Sequence, residues 1–442
     1  METRDMDMLH GPLTGKLLRF TLPIALSSVV QQLFNAADTS VVGYFGDANA
    51  LAAVGTNGEI VALIVTLSAG LAIGANILAA KKIGKGQSAE LPAVAGTALS
   101  LAVMVGLPGL LLGLWAAGPL LRLIRTPDAI FPAALGYLRL YLLGYPFLLV
   151  YDFGAALLRA RGDSRYPFAA LAASGVVNVL LNLLFVALFR MGVAGVAIAT
   201  DMSTALSALL VLRRLHRDSA YRFRVRSPET RYTGEILRQG IPSALQGAVF
   251  CFANIFVQAS VNTFGPEAIA GSTIAMNFEY VTYYVITAFG QTATTFVGQN
   301  HAAGNLDRCL NILWLCLGLS VGCSLVLIES IVLFRVPLSG LFSRDPAVIQ
   351  MACVRILCIL AFEPVCCLYE IPAGVLRGAG HPALPAASTM VGTCLFRITW
   401  IGTVFRLHRS LPMLYYAFPL SWAATIFLVL LCFAVVRHKP GR

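Results

Sequence analysis

Residues 158–162 read LRARG, and residues 376–380, at an offset of 218 positions, read LRGAG. Ahead of about residue 48 the offset is 219, so one register with a single gap aligns residues 14 to about 203 with 233 to about 421. Chance rarely produces a match of that length. The chain therefore consists of two related halves that run in the same direction.

The composition excludes a soluble globular protein. Hydrophobic residues make up 58% of the chain, charged residues only 12%, and the mean hydropathy is +0.78. Apolar stretches of roughly 20 residues or more recur along the whole length, which is enough for helices that cross a bilayer. Six predicted spans fall in each half, and an even number gives both halves the same orientation. The predicted spans are 20–42, 54–79, 91–117, 131–157, 167–189, 193–212, 237–263, 272–298, 310–333, 350–375, 384–405 and 412–436.

The net charge of +11 is explained by where the cations lie. Most Lys and Arg residues fall on the N-terminal side of the membrane, and they are densest in the polar stretch 213–236. The positive-inside rule predicts that both termini are cytoplasmic, in a bacterial inner membrane, and a basic linker facing anionic lipid requires no nucleic-acid partner. The predicted domains are an N-lobe, 1–212, a linker, 213–236, and a C-lobe, 237–442.

The repeat and the composition together favour one class of protein. In a very apolar chain, two same-direction halves are typical of a two-lobed transporter. The sequence contains no Walker motif, HExxH motif or nucleophile elbow, so we expect neither an enzyme nor a bound cofactor. The expected partners are small organic molecules and membrane lipid, and we expect a monomer.

Short motifs along nearly the whole chain resemble the multidrug and toxic compound extrusion (MATE) transporters. They occur in the order found in that family, and the set is specific although each motif alone is weak. The matching stretches are Gly11-Pro12, QLFNAAD at 32–38 with Val42-Gly43, LRARGDS at 158–164, Asn178 with Asn182, GVAGVAIAT at 192–200, VGQN at 297–300 with Ala303-Gly304, and LRGAG at 376–380.

The resemblance implies an all-α integral membrane protein. Its twelve transmembrane helices would form two pseudo-symmetric six-helix bundles, arranged as a V around a central cavity. It also implies an antiporter that exports organic compounds by alternating access, against inward flow of Na⁺ or H⁺.

Four polar residues are the candidates for the ion site. Asp38 lies roughly 6 Å inside the outer end of its predicted span, and Asn182 and Thr200 lie roughly 10 Å inside theirs. Asn178 is one helical turn from Asn182, so both side chains can share a face. Carboxylate, amide and hydroxyl oxygens suit Na⁺, and a carboxylate also suits H⁺. The resemblance places Asp38, Asn178 and Thr200 at the family's N-lobe site, where the position of Asn182 is an aspartate in some members. All four would be metal ligands only if Na⁺ is the coupling ion.

Asp201 is a further candidate, because it follows Thr200 at the same depth and the family usually has an apolar residue there. We hypothesise that it supplies the second carboxylate that Asn182 lacks. Packing or a position at the lipid interface is the alternative.

Two repeated pairs of opposite charge lie toward the cytoplasmic ends of spans four and ten. Asp152 precedes Arg159 by seven residues, and Glu370 precedes Arg377 by the same spacing, which puts each pair on one helix face. We expect ion pairs or a gate on the cytoplasmic side.

Further residues inside the spans are assigned roles by their chemistry. Glu279 and Glu363 are expected to attract a cationic, lipophilic substrate. Pro23, Pro146 and Pro364 are expected to kink their helices, because proline removes a backbone donor.

A flippase for lipid-linked oligosaccharides or lipids, from the same wider superfamily, is the competing function. Such a protein is expected to line its cavity with several arginines that bind pyrophosphate. Arg139 and Arg397 are the main arginines placed within the predicted spans, and the number of acidic residues favours cations as substrates.

Overall fold

The structure, a computed structural model, describes residues 6–45, 48–124, 126–218, 220–221 and 228–437, and its regular elements there are all helical. Linker residues Arg222, Arg224 and Arg226 lie outside the described residues. The first half contains α1 (Thr14–Phe45), α2 (Ala48–Thr56), α3 (Gly58–Gly84), α4 (Leu91–Leu123), α5 (Phe131–Leu143), α6 (Tyr145–Ala160), α7 (Arg165–Asn182) and α8 (Gly192–Arg217).

The second half repeats this order with more interruptions. Its longest helices correspond to the long helices of the first half at the sequence offset. They are α9 (Thr230–Val261), α10 (Pro266–Ala302), α11 (Leu306–Leu333), α12 (Arg335–Gly340), α13 (Pro346–Cys358), α14 (Cys367–Gly378), α15 (Ala383–Thr389), α16 (Phe396–Gly402), α17 (Val404–Leu407), α18 (Leu411–Tyr415) and α19 (Ala417–Arg437).

The number of long apolar helices agrees with a multi-pass membrane protein. Ten stretches of the described chain are long and apolar enough to cross a membrane, and α5 with α6 makes an eleventh if that bent pair is one span. The remaining predicted span is α10, whose 37 residues reach roughly 55 Å at 1.5 Å per residue. Polar residues such as Glu279, Gln291 and Thr292 make α10 less hydrophobic than the others. The expected all-α membrane fold is confirmed.

The fourth and tenth spans are both broken at the repeated proline. In the first half α5 and α6 meet at Gly144 with a bend of 44°, and Pro146 lies in the first turn of α6. In the second half a 3-10 segment, Leu360–Cys366, contains Pro364 and separates α13 from α14. Proline is tolerated in a first turn but removes a hydrogen bond elsewhere, which explains why the regular helix stops at these points. Pro23, in contrast, lies inside the continuous helix α1.

The contacts divide the chain into two compact units. The first comprises Met1–Asp7 and Leu22–Ala244, and the second comprises Met8–Thr21 and Leu245–Arg442. The start of α1 therefore packs with the second half of the sequence, and the start of α9 packs with the first half. The predicted boundaries at 212 and 237 follow the repeat alone. They do not include this exchange of the starts of α1 and α9 between the two units.

The two exchanged helix starts are held by equivalent but chemically different contacts. In the first unit a Cβ on Gly74 would lie 2.1 Å from the carbonyl oxygen of Ile236, and a Cβ on Gly240 would lie 2.5 Å from that of Leu71. Only glycine permits so close a backbone approach. The repeat maps Gly74 and Gly240 onto Thr292 and Thr21. In the second unit these two threonines share a hydrogen bond of 2.8 Å between their hydroxyl groups.

Candidate functional site

Four polar side chains of the first unit form one buried cluster, which we call the polar quartet: Asp38, Asn178, Asn182 and Thr200. The amide of Asn182 donates to Asp38 Oδ1 at 2.5 Å and to Asn178 Oδ1 at 3.2 Å. The Thr200 hydroxyl donates to Asp38 Oδ2 at 3.3 Å, and the Asn178 amide donates to that hydroxyl at 3.5 Å. The structure thus brings together residues separated by up to 162 positions in the sequence.

The quartet is assembled by three helices. Asp38 comes from α1, Asn178 and Asn182 lie one turn apart on α7, and Thr200 is on α8. Gly175, almost one turn before Asn178, leaves room for the ring of Phe34, because a Cβ there would lie 1.6 Å from Phe34 Cε2. Phe34 precedes Asp38 by one turn of α1. The glycine therefore lets α1 approach α7 closely enough for the carboxylate to reach the two amides.

The quartet combines one carboxylate with neutral oxygen atoms. Asp38 is 7% exposed and Asn182 is fully buried, and Asn182 Oδ1 has no hydrogen-bond partner. A buried amide oxygen without a donor is costly and is usually satisfied by water, an ion or a ligand. A carboxylate, an amide oxygen and a hydroxyl form a donor set that a hard cation accepts. The described residues contain no cluster of three His, Cys, Asp or Glu that would hold a transition metal.

Asp201 makes no hydrogen bond to the polar quartet in the described structure and lies at the break between α5 and α6. Its carboxylate lies against the backbone of Gly144. A Cβ on Gly144 would lie 2.2 Å from Asp201 Oδ1, so glycine is required for this approach. The Gly144 N–H also donates to the carbonyl of Tyr141 at 3.2 Å, in the last turn of α5. A role of Asp201 in the ion site stays a prediction.

The two repeated acid–arginine pairs differ in the structure. Arg377 Nη2 donates to Glu370 Oε1 at 2.5 Å, and both side chains are buried. Asp152 instead accepts from the hydroxyl of Ser68 at 2.7 Å, with no ion pair to Arg159 in the described structure. Seven residues of helix rise roughly 10 Å, and aspartate is one methylene shorter than glutamate. The shorter side chain does not span that distance, so the expected Asp152–Arg159 pair is not formed here.

The two acidic residues proposed to attract a cationic substrate have different surroundings. Glu279 accepts two hydrogen bonds from Arg355, at 2.7 and 2.8 Å, so its charge is already compensated. Glu363 lies in the 3-10 break, is 3% exposed, and accepts a hydrogen bond from the hydroxyl of Thr282. No cationic side chain of the described chain pairs with Glu363. Of the two, only Glu363 therefore has a carboxyl group without a cationic side chain as partner.

The sequence reasoning missed two features of the second unit. Arg355 lies within the predicted span 350–375. An arginine inside a span predicts a buried acidic partner, and the structure shows that this partner is Glu279. Arg397 was noted only as an arginine in a span, although it is 1% exposed and stacks 3.9 Å from the ring centroid of Phe418.

The membrane fold, the internal repeat and a polar cluster buried among transmembrane helices define a multi-pass membrane transporter. A sequence profile described as MatE matches residues 23–184 and 242–400, one segment in each half. These segments cover most of the chain, and the chain belongs to the MatE family.

Named relatives can be aligned with most of the chain. The probable multidrug resistance protein YpnP of Bacillus subtilis is 30% identical over 309 residues, 68% of either chain. The probable multidrug resistance protein NorM of Thermotoga maritima is 26% identical over 407 residues, 87% of this chain and 84% of the relative. A FAD transporter of Shewanella oneidensis is 25% identical and is matched over 81% of each chain.

Solved structures share the fold. An outward-facing multidrug resistance MATE family transporter of the MOP superfamily matches with a TM-score of 0.90 and 22% identity, over 99% of this chain and 100% of that one. A MOP superfamily transporter from Pyrococcus furiosus matches with a TM-score of 0.89 and 21% identity, over 99% and 98%. At this level of identity the likeness establishes the architecture alone.

Proposed function

We propose that this protein is a secondary antiporter that exports organic compounds by alternating access, driven by inward flow of Na⁺ or H⁺. The observation that carries the proposal is the polar quartet. It holds a single buried carboxylate, Asp38, whose hydrogen-bond partners are neutral. A buried carboxylate without a cationic side chain is unstable unless it binds a proton or a cation.

The quartet offers what either ion needs. Asp38 is the group that accepts a proton, and its oxygens together with Asn182 Oδ1 and the Thr200 hydroxyl are the ligands for Na⁺. Neutralisation of Asp38 changes the balance of hydrogen bonds that joins α1 to α7 and α8. Ion binding is thereby coupled to the packing of three helices, as an antiporter requires.

The substrates are organic compounds, including lipophilic cations. The names of the Bacillus and Thermotoga relatives as probable multidrug resistance proteins support export of varied compounds. Glu363 supports recognition of positive charge, because it is buried and has no cationic side chain as partner. We propose a location in the bacterial inner membrane with both termini in the cytoplasm, and a monomer as the transporting unit.

Transport by inverted membrane vesicles tests the proposal. A fluorescent organic cation is supplied outside, and a Na⁺ or a H⁺ gradient is imposed separately. The wild type is expected to accumulate the cation under one gradient, which identifies the coupling ion, and Asp38→Asn is expected to show no gradient-driven accumulation. Asp128→Asn is the matched control, because Asp128 is exposed and lies outside the quartet.

Two results would contradict the proposal. Accumulation by Asp38→Asn at the wild-type level would remove the quartet from coupling. Absence of transport under both gradients by correctly inserted wild-type protein would favour a flippase acting on lipid-linked compounds.

A further inference from the structure

The repeat assigns each member of the polar quartet a counterpart in the second unit, and all four counterparts are apolar or aromatic. The offsets of 219 and 218 map Asp38, Asn178, Asn182 and Thr200 onto Val257, Phe396, Trp400 and Phe418.

Arg397 lies beside two of these counterparts, Phe396 and Phe418. It follows Phe396 in α16, and its guanidinium carbon lies 3.9 Å from the ring centroid of Phe418 and 5.5 Å from that of Phe250. Its Nη1 donates to Asn254 Oδ1 at 3.2 Å and its Nε donates to the Ser421 hydroxyl at 3.1 Å.

The same pseudo-symmetry explains why these groups are neighbours. Asn254 is the counterpart of Asn35, one turn before Asp38 on α1. Arg355, whose guanidinium carbon lies 5.7 Å from the Phe418 ring centroid, is the counterpart of Tyr137. The position that carries an acid and amides in the first unit therefore carries two guanidinium groups around an aromatic ring in the second.

The charge of Arg397 is not compensated, unlike that of the other buried arginines in this unit. Arg355 is paired with Glu279 and Arg377 with Glu370. In the described part of the chain no carboxylate forms an ion pair with Arg397, and the hydrogen bonds of its guanidinium go to the neutral oxygens of Asn254 and Ser421. It is 1% exposed.

An unpaired guanidinium inside a membrane protein is costly and indicates a functional role. Neutral acceptors and aromatic rings reduce the cost but leave a planar donor edge with a full positive charge. Carboxylate and phosphate groups match that edge and form charge-assisted hydrogen bonds with it. Aromatic walls beside the guanidinium suit a ligand that carries the anionic group on an aromatic framework.

We propose that Arg397 binds the anionic group of aromatic organic substrates, with Phe250 and Phe418 contacting their rings. The substrate class then includes compounds with a carboxylate or phosphate, in addition to simple cations. This inference rests on the proposed export function. It gives the two units separate tasks, because the first binds the coupling ion and the second binds an organic anion at the equivalent place.

The experiment uses a pair of probes that differ in one negative charge. Rhodamine B carries a free carboxylate, and rhodamine B ethyl ester is the same dye with that carboxylate blocked. Uptake of each is measured in inverted vesicles under the productive gradient, for wild type, Arg397→Gln, Arg397→Lys and Arg406→Gln. Arg406 is an exposed arginine nearby in sequence and serves as the matched control.

The wild type is expected to transport both dyes. Arg397→Gln is expected to raise the KM for rhodamine B by about tenfold, because one charge-assisted hydrogen bond is lost. The KM for the ester is expected to be unchanged. Arg397→Lys keeps the charge and loses the planar fork. Its KM for rhodamine B is expected to lie between those of the wild type and Arg397→Gln. Arg406→Gln is expected to match the wild type with both dyes.

Equal impairment of both dyes in Arg397→Gln and in Arg397→Lys would show a structural role and overturn the proposal. An unchanged KM for rhodamine B in either variant that inserts correctly would also overturn it. A wild type that transports the ester but not rhodamine B would likewise overturn the proposal, and it would leave the export function intact. Failure of the wild type to transport either dye under both gradients would refute the export function itself.

Discussion

The two halves of the chain keep one scaffold and fill its equivalent site with opposite chemistry. In the first unit the site holds a carboxylate, two amides and a hydroxyl. In the second it holds valine, two phenylalanines and tryptophan beside an unpaired arginine. The difference teaches that the packing of the helices is kept between the halves, whereas the side chains at the equivalent site differ.

Scaffold positions show what is preserved. The amide of Asn76 donates to the carbonyl of Ala156 at 2.9 Å, and the hydroxyl of Thr294 donates to the carbonyl of Gly374 at 3.0 Å. These are equivalent residues at the offset of 218. A different side chain satisfies the same buried carbonyl in each half, so the contact is kept and its chemistry varies.

The largest expected effect distinguishes the two acid–arginine pairs. Glu370→Gln leaves the buried Arg377 without its carboxylate and is expected to destabilise the protein by about 3–5 kcal/mol. Asp152→Asn removes a carboxylate that is bonded to Ser68 rather than to an arginine, and is expected to cost about 1 kcal/mol. Thermal unfolding of the purified variants in detergent measures both, and equal losses would contradict the difference between the halves.

The next largest effect on stability is expected at the close approach of Gly74 to the start of α9. Gly74→Ala places a Cβ 2.1 Å from the backbone oxygen of Ile236, and forced overpacking costs about 1–3 kcal/mol. Gly118→Ala is the control, because a Cβ there meets no atom within 4 Å. We expect a lower unfolding temperature for the first variant and an unchanged or higher one for the second. The reverse order would show that α9 is not held in this way.

The hydroxyl of the polar quartet is expected to matter for coupling more than for folding. Thr200→Val removes the donor to Asp38 and the acceptor of Asn178, and ion-driven transport is expected to fall about tenfold, which corresponds to about 1.4 kcal/mol. Thr204→Val, one turn further on α8, removes a hydroxyl that bonds only to the Thr200 carbonyl, at 2.8 Å. Equal transport by the two variants would separate Thr200 from the ion site.

The smallest effect is expected at the counterpart of the glycine contact. Thr292→Val keeps the shape and removes the hydroxyl–hydroxyl bond to Thr21, which is expected to cost about 1 kcal/mol. Thr273→Val removes an exposed hydroxyl that bonds only within its own helix, to Ile269. Unfolding temperatures that do not differ between the two would show that this bond contributes nothing to holding α1.

Residue type, depth and helical spacing, together with the family resemblance, selected the four members of the quartet as candidates. The structure places these four side chains within hydrogen-bonding distance of one another. The partner of Glu279 could not be predicted in this way, because Arg355 is 76 residues distant and no local pattern links them. The repeat likewise gives the register of the halves, yet tertiary contacts alone decide that the starts of α1 and α9 exchange units. Asp201 lies at the same depth as Thr200 and against Gly144, a contact between α8 and the α5–α6 break that depth alone does not predict.

Ion binding to the purified protein tests the division of tasks most directly. Binding of the coupling ion is measured by calorimetry in detergent without substrate, for wild type, Asp38→Asn and Glu363→Gln. The account predicts binding to the wild type and to Glu363→Gln, and none to Asp38→Asn. Binding that persists in Asp38→Asn and disappears in Glu363→Gln would place the coupling site in the second unit and contradict the account.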